Sequence, residues 1–136
     1  MKGRVLAPGT AAGAALVLRE PLSLWGGMDP ATGILIDAHH PQRGTELAGR
    51  ILVMPAVRGS SSASSVLAEA VRVGRAPAAF LLGEPDLILA VGAAVAEELY
   101  GVRVPVLVLP HPSLAAIPDG ARVQVEEDGS VSLSAG

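Results

Sequence analysis

The 136-residue sequence contains no cysteine, which excludes disulfides and thiolate metal ligands supplied by this chain itself. Aromatic residues are almost as scarce, with one Trp, one Tyr and one Phe. Val, Leu, Ile and Ala must therefore fill the core, and there is no obvious platform on which nucleic-acid bases would stack. Lys and Arg never cluster and the formal net charge is -3, so neither nucleic acid nor a membrane surface is an expected partner. The longest apolar stretches, such as Leu87 to Val95, fall far short of the roughly 20 residues of a membrane helix. Pro8, Gly9 and Thr10 interrupt the N-terminus before an apolar stretch of signal-peptide length forms. The expectation is a soluble, cytoplasmic chain whose residues 1–136 form one domain.

What is present is an aliphatic chain punctuated by turns, with half of its residues hydrophobic. Arg4 to Ala7 and Ala14 to Arg19 have strand-like patterns, and Ile34 to Ile36 leaves a turn at Asp29 to Gly33 in the same way. Ile51 to Met54 and Ala78 to Leu82 are short continuous apolar runs, as buried strands are. Val66, Leu67, Ala70 and Val71 lie on one face of a helix predicted over roughly Ser65 to Val73, with Ser64 or Ser65 as N-cap and Gly74 as the stop. Gly92 to Leu99 reads as a second amphipathic helix ending at Gly101. Val104 to Leu109 reads as another strand, and Ala121 to Glu126 and Ser130 to Leu133 flank the hairpin turn Asp128-Gly129. Two helices are too few to cover both faces of one large parallel sheet, so the pattern predicts an α/β domain with layered sheets and two main helices.

The chemistry concentrates in RGSSSASSVLAEAV, Arg58 to Val71, where hydroxyls and glycine lie between a buried strand and a helix N-terminus. Backbone amides in such a loop suit a carboxylate or a phosphate. The loop is neither a P-loop, since the Lys after the second Gly is missing, nor a G-x-S-x-G elbow. A helix N-terminus favours negative charge by about 2 kcal/mol at most, while one pKa unit corresponds to about 1.36 kcal/mol. That is far too little to make an ordinary serine an alkoxide near neutral pH, so this chemistry requires a partner.

LWGGMDPATGILID, HHP, ILVMPAVRGSSSASSVLAEA and RAPAAFLLGEPDLILAVGAAVAEELYG, in that order, resemble successive motifs of the small subunit, or swivel domain, of the aconitase X family. The resemblance runs from about Pro21 to Val108. It implies a swivelling β/β/α domain that closes over an active site held mainly by a separate, Cys-containing large subunit. It also implies dehydration of a small hydroxy acid, with a serine of the small domain as base. That serine is the first after the glycine in the family's motif, here Ser60. Arg58, Gly59, Ser61 and Ser62 are then candidate substrate-binding residues, and Gly26, Gly27 and Asp29 match a Gly-Gly-x-Asp-Pro loop facing the active site or the partner. No cofactor is expected on this chain alone; an iron or iron–sulfur centre is implied on the large subunit.

Within the family, RGSSSASSVLAEA followed by VGRAPAA resembles the cis-3-hydroxy-L-proline dehydratase branch, with phosphomevalonate dehydratase as the alternative. A non-catalytic module or a phosphohistidine carrier are readings of another class. The carrier would use His39, His40 or His111. The adjacent pair His39-His40, with no carboxylate cluster beside it in the sequence, is read as part of a loop rather than as a ligand set.

Overall fold

Ile51–Met54 (β5) and Ala79–Leu82 (β6) are buried at every position, so each must be covered on both faces by other elements. A computed structural model, describing residues 1–56, 58 and 60–134, shows how. Along each strand, successive side chains enter opposite cores. Leu52, Met54, Phe80 and Leu82 join one cluster, and Ile51, Val53, Ala79 and Leu81 the other.

The main sheet has seven strands in the order β1-β7-β6-β5-β2-β8-β9. Its centre is parallel: β2 (Ala11–Val17), β5, β6 and β7 (Val106–Val108) run in one direction. The flanks are antiparallel, with β1 (Arg4–Ala7) on β7, β8 (Arg122–Val125) on β2, and β9 (Val131–Ser134) on β8. The sheet curls until its ends meet. Gly3 N–H donates to Gly129 O at 2.9 Å and Val131 N–H to Met1 O at 2.7 Å. Folded back in this way, β8 and β9 lay Val123, Val125 and Val131 on Ile51, Val53 and Leu81.

On the opposite face lie α2 (Ala63–Arg72) and α3 (Leu87–Tyr100), the crossovers of β5-α2-β6-α3-β7. Their Leu67, Ala70, Leu89, Ala93 and Ala96 complete the second core with Leu16, Leu52 and Phe80. Each fully buried Leu contributes about 1.5–3 kcal/mol. The layering is therefore sheet on sheet on helices, as expected, with smaller additions: the tight turn α1 (Leu24–Gly27), a two-stranded ribbon of β3 (Met28–Asp29) and β4 (Ile34–Leu35), and the short helix α4 (His111–Ala115).

Several boundaries differ from the sequence reading. Helix α3 starts five residues earlier because Asp86 Oδ1 accepts from the amides of Ile88 and Leu89, at 3.0 and 3.1 Å. Gly101, at φ 68°, ends it. Helix α2 starts at Ala63, so Ser64 and Ser65 are not its caps. Their hydroxyls instead donate backwards to the carbonyls of Ser61 and Ser62, at 3.3 and 2.9 Å, the local bonding that serine offers inside a first turn. Strand β2 occupies Ala11–Val17 rather than Ala14 to Arg19, because β8 pairs with residues 11–14 and β5 with residues 15–17. Helix α4 was not expected.

The two helices touch where α3 presents Gly92 to α2: a Cβ there would lie 2.9 Å from Ser64 Cα and 3.0 Å from Ser64 O. Both neighbours are backbone, which cannot rotate away. Gly92→Val is therefore expected to destabilise the fold by about 1–3 kcal/mol through overpacking, read as a lower urea midpoint with an unchanged slope.

Candidate functional site

Strand β5 delivers the serine loop to the C-terminal end of the parallel strands, where ligands of open α/β sheets characteristically bind. Ser60 precedes α2 and accepts from the N-cap residue and the first residue of that helix. Its carbonyl takes the Ala63 N–H at 2.9 Å, and its Oγ faces the Ser62 N–H at 3.4 Å, a long contact. Ser60 is half-buried. Ser61 is exposed and Ser62 half-buried. Both spend their carbonyls on the hydroxyls of Ser64 and Ser65, and Ser62 makes no side-chain cap. Gly59 lies outside the described residues.

Arg58 is exposed and lines a cleft of about 370 Å³ together with Glu20, Pro21, Asp37, His39 and His40. The sequence reading singled out only Arg58 as a ligand contact in this group. Glu20 and Asp37 were missed because they reach the cleft from separate segments: Glu20 follows the end of β2, and Asp37 opens the loop after β4. Neither position carries a local motif.

The histidine beside them explains how the cleft is held. His40 is buried, and its ring spans two segments. Nδ1 lies 3.1 Å from the Gln42 N–H, which donates to it, leaving the opposite nitrogen to carry the proton. Nε2–H then donates to Glu20 O at 3.0 Å. The backbone N–H of His40 donates to Asp37 O at 3.2 Å. Gln42 extends this latch, accepting from Arg19 N–H at 2.8 Å and donating to Val17 O at 2.9 Å. With both ring nitrogens engaged, His40 is an architectural residue. His39 beside it is exposed, its amide donating to Asp37 Oδ1 at 2.9 Å.

The Gly-Gly loop is built on different constraints. Gly26 has φ 75° and open space around its α-carbon, whereas a Cβ on Gly27 would lie 2.6 Å from Leu22 Cδ1. Gly26 thus serves a left-handed turn, and Gly27 a close approach to the core. Asp29 closes the next turn: its Oδ1 accepts from Ala31 N–H at 2.9 Å and its carbonyl from Gly33 N–H at 2.7 Å. Just before the two glycines, Trp25 is 60% exposed. His111 lies near the sheet end too, its Cε1 packed 2.8 Å from where a Gly83 Cβ would stand. Among the described residues, no three His, Cys, Asp or Glu side chains are grouped as a metal site requires, and no helix is long and apolar enough to cross a membrane.

Comparison with known proteins places these features in a family. The family model for the aconitase X swivel domain matches residues 1–133. The cis-3-hydroxy-L-proline dehydratase of Pseudomonas aeruginosa is 48% identical over 97% of this chain, which spans 24% of that enzyme's length. The phosphomevalonate dehydratase small subunit of Thermococcus kodakarensis is 42% identical over 71% of this chain and 73% of the subunit. Among solved structures, holo aconitase X of Thermococcus kodakaraensis superposes with a TM-score of 0.85 at 35% identity, covering 98% of this chain and 97% of that one. A solution structure of a UPF0107 protein gives 0.87 at 36% identity, covering 99% and 98%.

His40→Ala removes the donor to Glu20 O and the acceptor of the Gln42 amide. The expected cost is about 1–3 kcal/mol, together with faster hydrogen exchange at the Gln42 amide and little change at amides of β6.

Proposed function

This chain belongs to the aconitase X swivel domain family, and from that premise we propose that it is the small subunit of a two-chain hydro-lyase that dehydrates a small hydroxy acid. Within this reading the favoured substrate is cis-3-hydroxy-L-proline. The observation that carries the proposal is the placement of Ser60: half-buried, in the loop that joins a central parallel strand to a helix N-terminus, and two residues from a guanidinium that lines a cleft.

In this reading Ser60 Oγ, as the alkoxide, takes the proton from the carbon next to the substrate carboxylate; the C–O bond on the adjacent carbon breaks as the double bond forms, and the hydroxide, protonated in turn with the proton that Ser60 gives up, leaves as water. Negative charge is needed on the serine before the transfer and passes to the substrate during it; the Ser62 N–H is directed at Oγ, where the alkoxide must be held. Arg58, Gly59, Ser61 and Ser62 are the proposed substrate-binding residues. Gly26, Gly27 and Asp29 form a loop proposed to face the active site or the partner chain, with Trp25 as its exposed edge.

The residues present do not fit an iron or iron–sulfur centre: the chain has no cysteine and the described residues gather no ligand set. The proposed centre therefore belongs to a large, Cys-containing partner, and the swivel domain supplies base and substrate contacts. The share of the Pseudomonas aeruginosa enzyme that this chain does not span supports a partner of larger size.

Two alternatives differ in what they require. Phosphomevalonate as substrate is supported by the small-subunit relatives, but it asks for cationic groups to hold a phosphate, and among the described residues Arg58 is the only Lys or Arg lining the cleft. A phosphohistidine carrier needs a free ring nitrogen; the latch engages both nitrogens of His40, which leaves that reading to His39 and His111.

The test is co-expression of this chain with its large partner. Ser60→Ala is expected to assemble normally and lower kcat for cis-3-hydroxy-L-proline by about 10²–10⁴, the range for loss of a general base. An assembled variant of full activity overturns the assignment of the base.

A further inference from the structure

The charge of the cleft points to the class of molecule it reads. One guanidinium, from Arg58, and two carboxylates, from Glu20 and Asp37, line the same space. Ion pairing within the chain does not account for them, because the salt bridges among the described residues join Lys2 to Asp128, Arg72 to Glu69, and Arg103 to Glu97 and Glu127. The carboxylates are also not randomly placed. The buried His40 holds both bearing segments at once, through Glu20 O at 3.0 Å and Asp37 O at 3.2 Å. Asp37 is half-buried, and one of its oxygens is oriented by the His39 amide.

We infer that Glu20 and Asp37 are specificity-determining residues that bind the ammonium group of a zwitterionic amino acid whose carboxylate lies toward Arg58. The inference rests on the dehydratase reading for the identity of the substrate, and it adds the part of the chain that recognises nitrogen. A single cation opposed by two anions suits a molecule carrying one charge of each sign. It repels a phosphate ester that also carries a carboxylate, because that ligand's three or so negative charges would meet two more. Discrimination of this kind comes from like-charge repulsion as much as from attraction.

His40 acts here as a positioning residue. It touches no ligand in this scheme, and its two bonds set the separation between the walls from which Glu20 and Asp37 project. The sequence hides the arrangement, because Glu20 and Asp37 are 17 positions apart and converge only when the loop after β4 folds against the end of β2.

Calorimetric titration of the assembled two-chain complex tests the inference with two probes: L-proline, and cyclopentanecarboxylate, which keeps the carboxylate and lacks the ammonium. The wild-type complex is expected to prefer L-proline by about tenfold, the scale of close, desolvated charge pairs. The double variant Glu20→Gln, Asp37→Asn is expected to lose that preference, with affinity for cyclopentanecarboxylate within about twofold of wild type. Asn keeps an acceptor for the His39 amide, so the loop retains its turn. A wild type that does not distinguish the probes, or a double variant that still prefers L-proline, overturns the inference. Turnover of cis-3-hydroxy-L-proline is read separately. A complex that prefers L-proline without dehydrating the hydroxy acid defeats the dehydratase reading alone, and one that dehydrates it without the carboxylate-dependent preference defeats only this inference.

Discussion

Burial of β5 on both faces is the constraint on which the rest of the molecule depends. A strand whose side chains are all apolar and alternate in direction needs two separate cores, and a chain of 136 residues has little material with which to build them. The solution is asymmetric. Two helices cover one face and the sheet's own curled edge covers the other, so β8 and β9 replace the helices that a doubly wound sheet would need there. The curl is locked where Met1 and Gly3 bond to the β8-β9 turn region. The scarcity of aromatic residues suits this design, since three thin aliphatic layers pack closely without large rings.

The same constraint places the polar chemistry. Polar groups have no room within either core, and His40 and Asp86 are the buried polar or charged side chains among the described residues. Each is buried while satisfying backbone groups: Asp86 caps α3, and His40 joins two segments at the cleft. The remaining polar chemistry gathers at the ends of the parallel strands, where β5 leads into the serine loop. A rigid strand thus feeds a short loop and a helix N-terminus, and the loop's position is fixed by the least variable part of the fold.

Legibility in the sequence followed the range of the interaction that decides each feature. The run Ile51 to Met54 gave a strand with the expected ends because burial of adjacent residues is a local pattern, and Arg4 to Ala7, buried only at Ala7, did so through its strand-like alternation and the turn at Pro8. The end of α3 at Gly101 was equally plain. Its start was not, although Asp86 before an apolar run is an N-cap signal, because Leu87 to Val91 is apolar at every position and shows no helical period. The serines of α2 misled for the opposite reason. Serine is an acceptor at a cap and a donor to a carbonyl three residues back with similar ease, and only the backbone angles choose between them. Of the candidate site, the proposed residues Arg58 and Ser60 lie in one contiguous motif. Glu20, Asp37 and the bridging role of His40 depend on contacts between segments that no periodicity encodes.

Under the proposed reading, the reason for a partner lies in magnitudes. For Ser60 to act as a base, its alkoxide must be stabilised far beyond what one helix supplies, because a helix terminus contributes about 2 kcal/mol at best and each pKa unit requires about 1.36. The Ser62 N–H, at 3.4 Å, adds a weak contact in the present geometry, and Arg58 is exposed to solvent that screens it. Exclusion of water changes both quantities, since the same guanidinium and amide act more strongly when the surrounding dielectric falls. A surface that closes over the serine loop would therefore do more than deliver substrate: it would convert groups that are ordinary in water into effective ones. The half-buried position of Ser60, with its helix and cleft already formed, fits a domain whose local parts are preorganised and whose electrostatics await that closure.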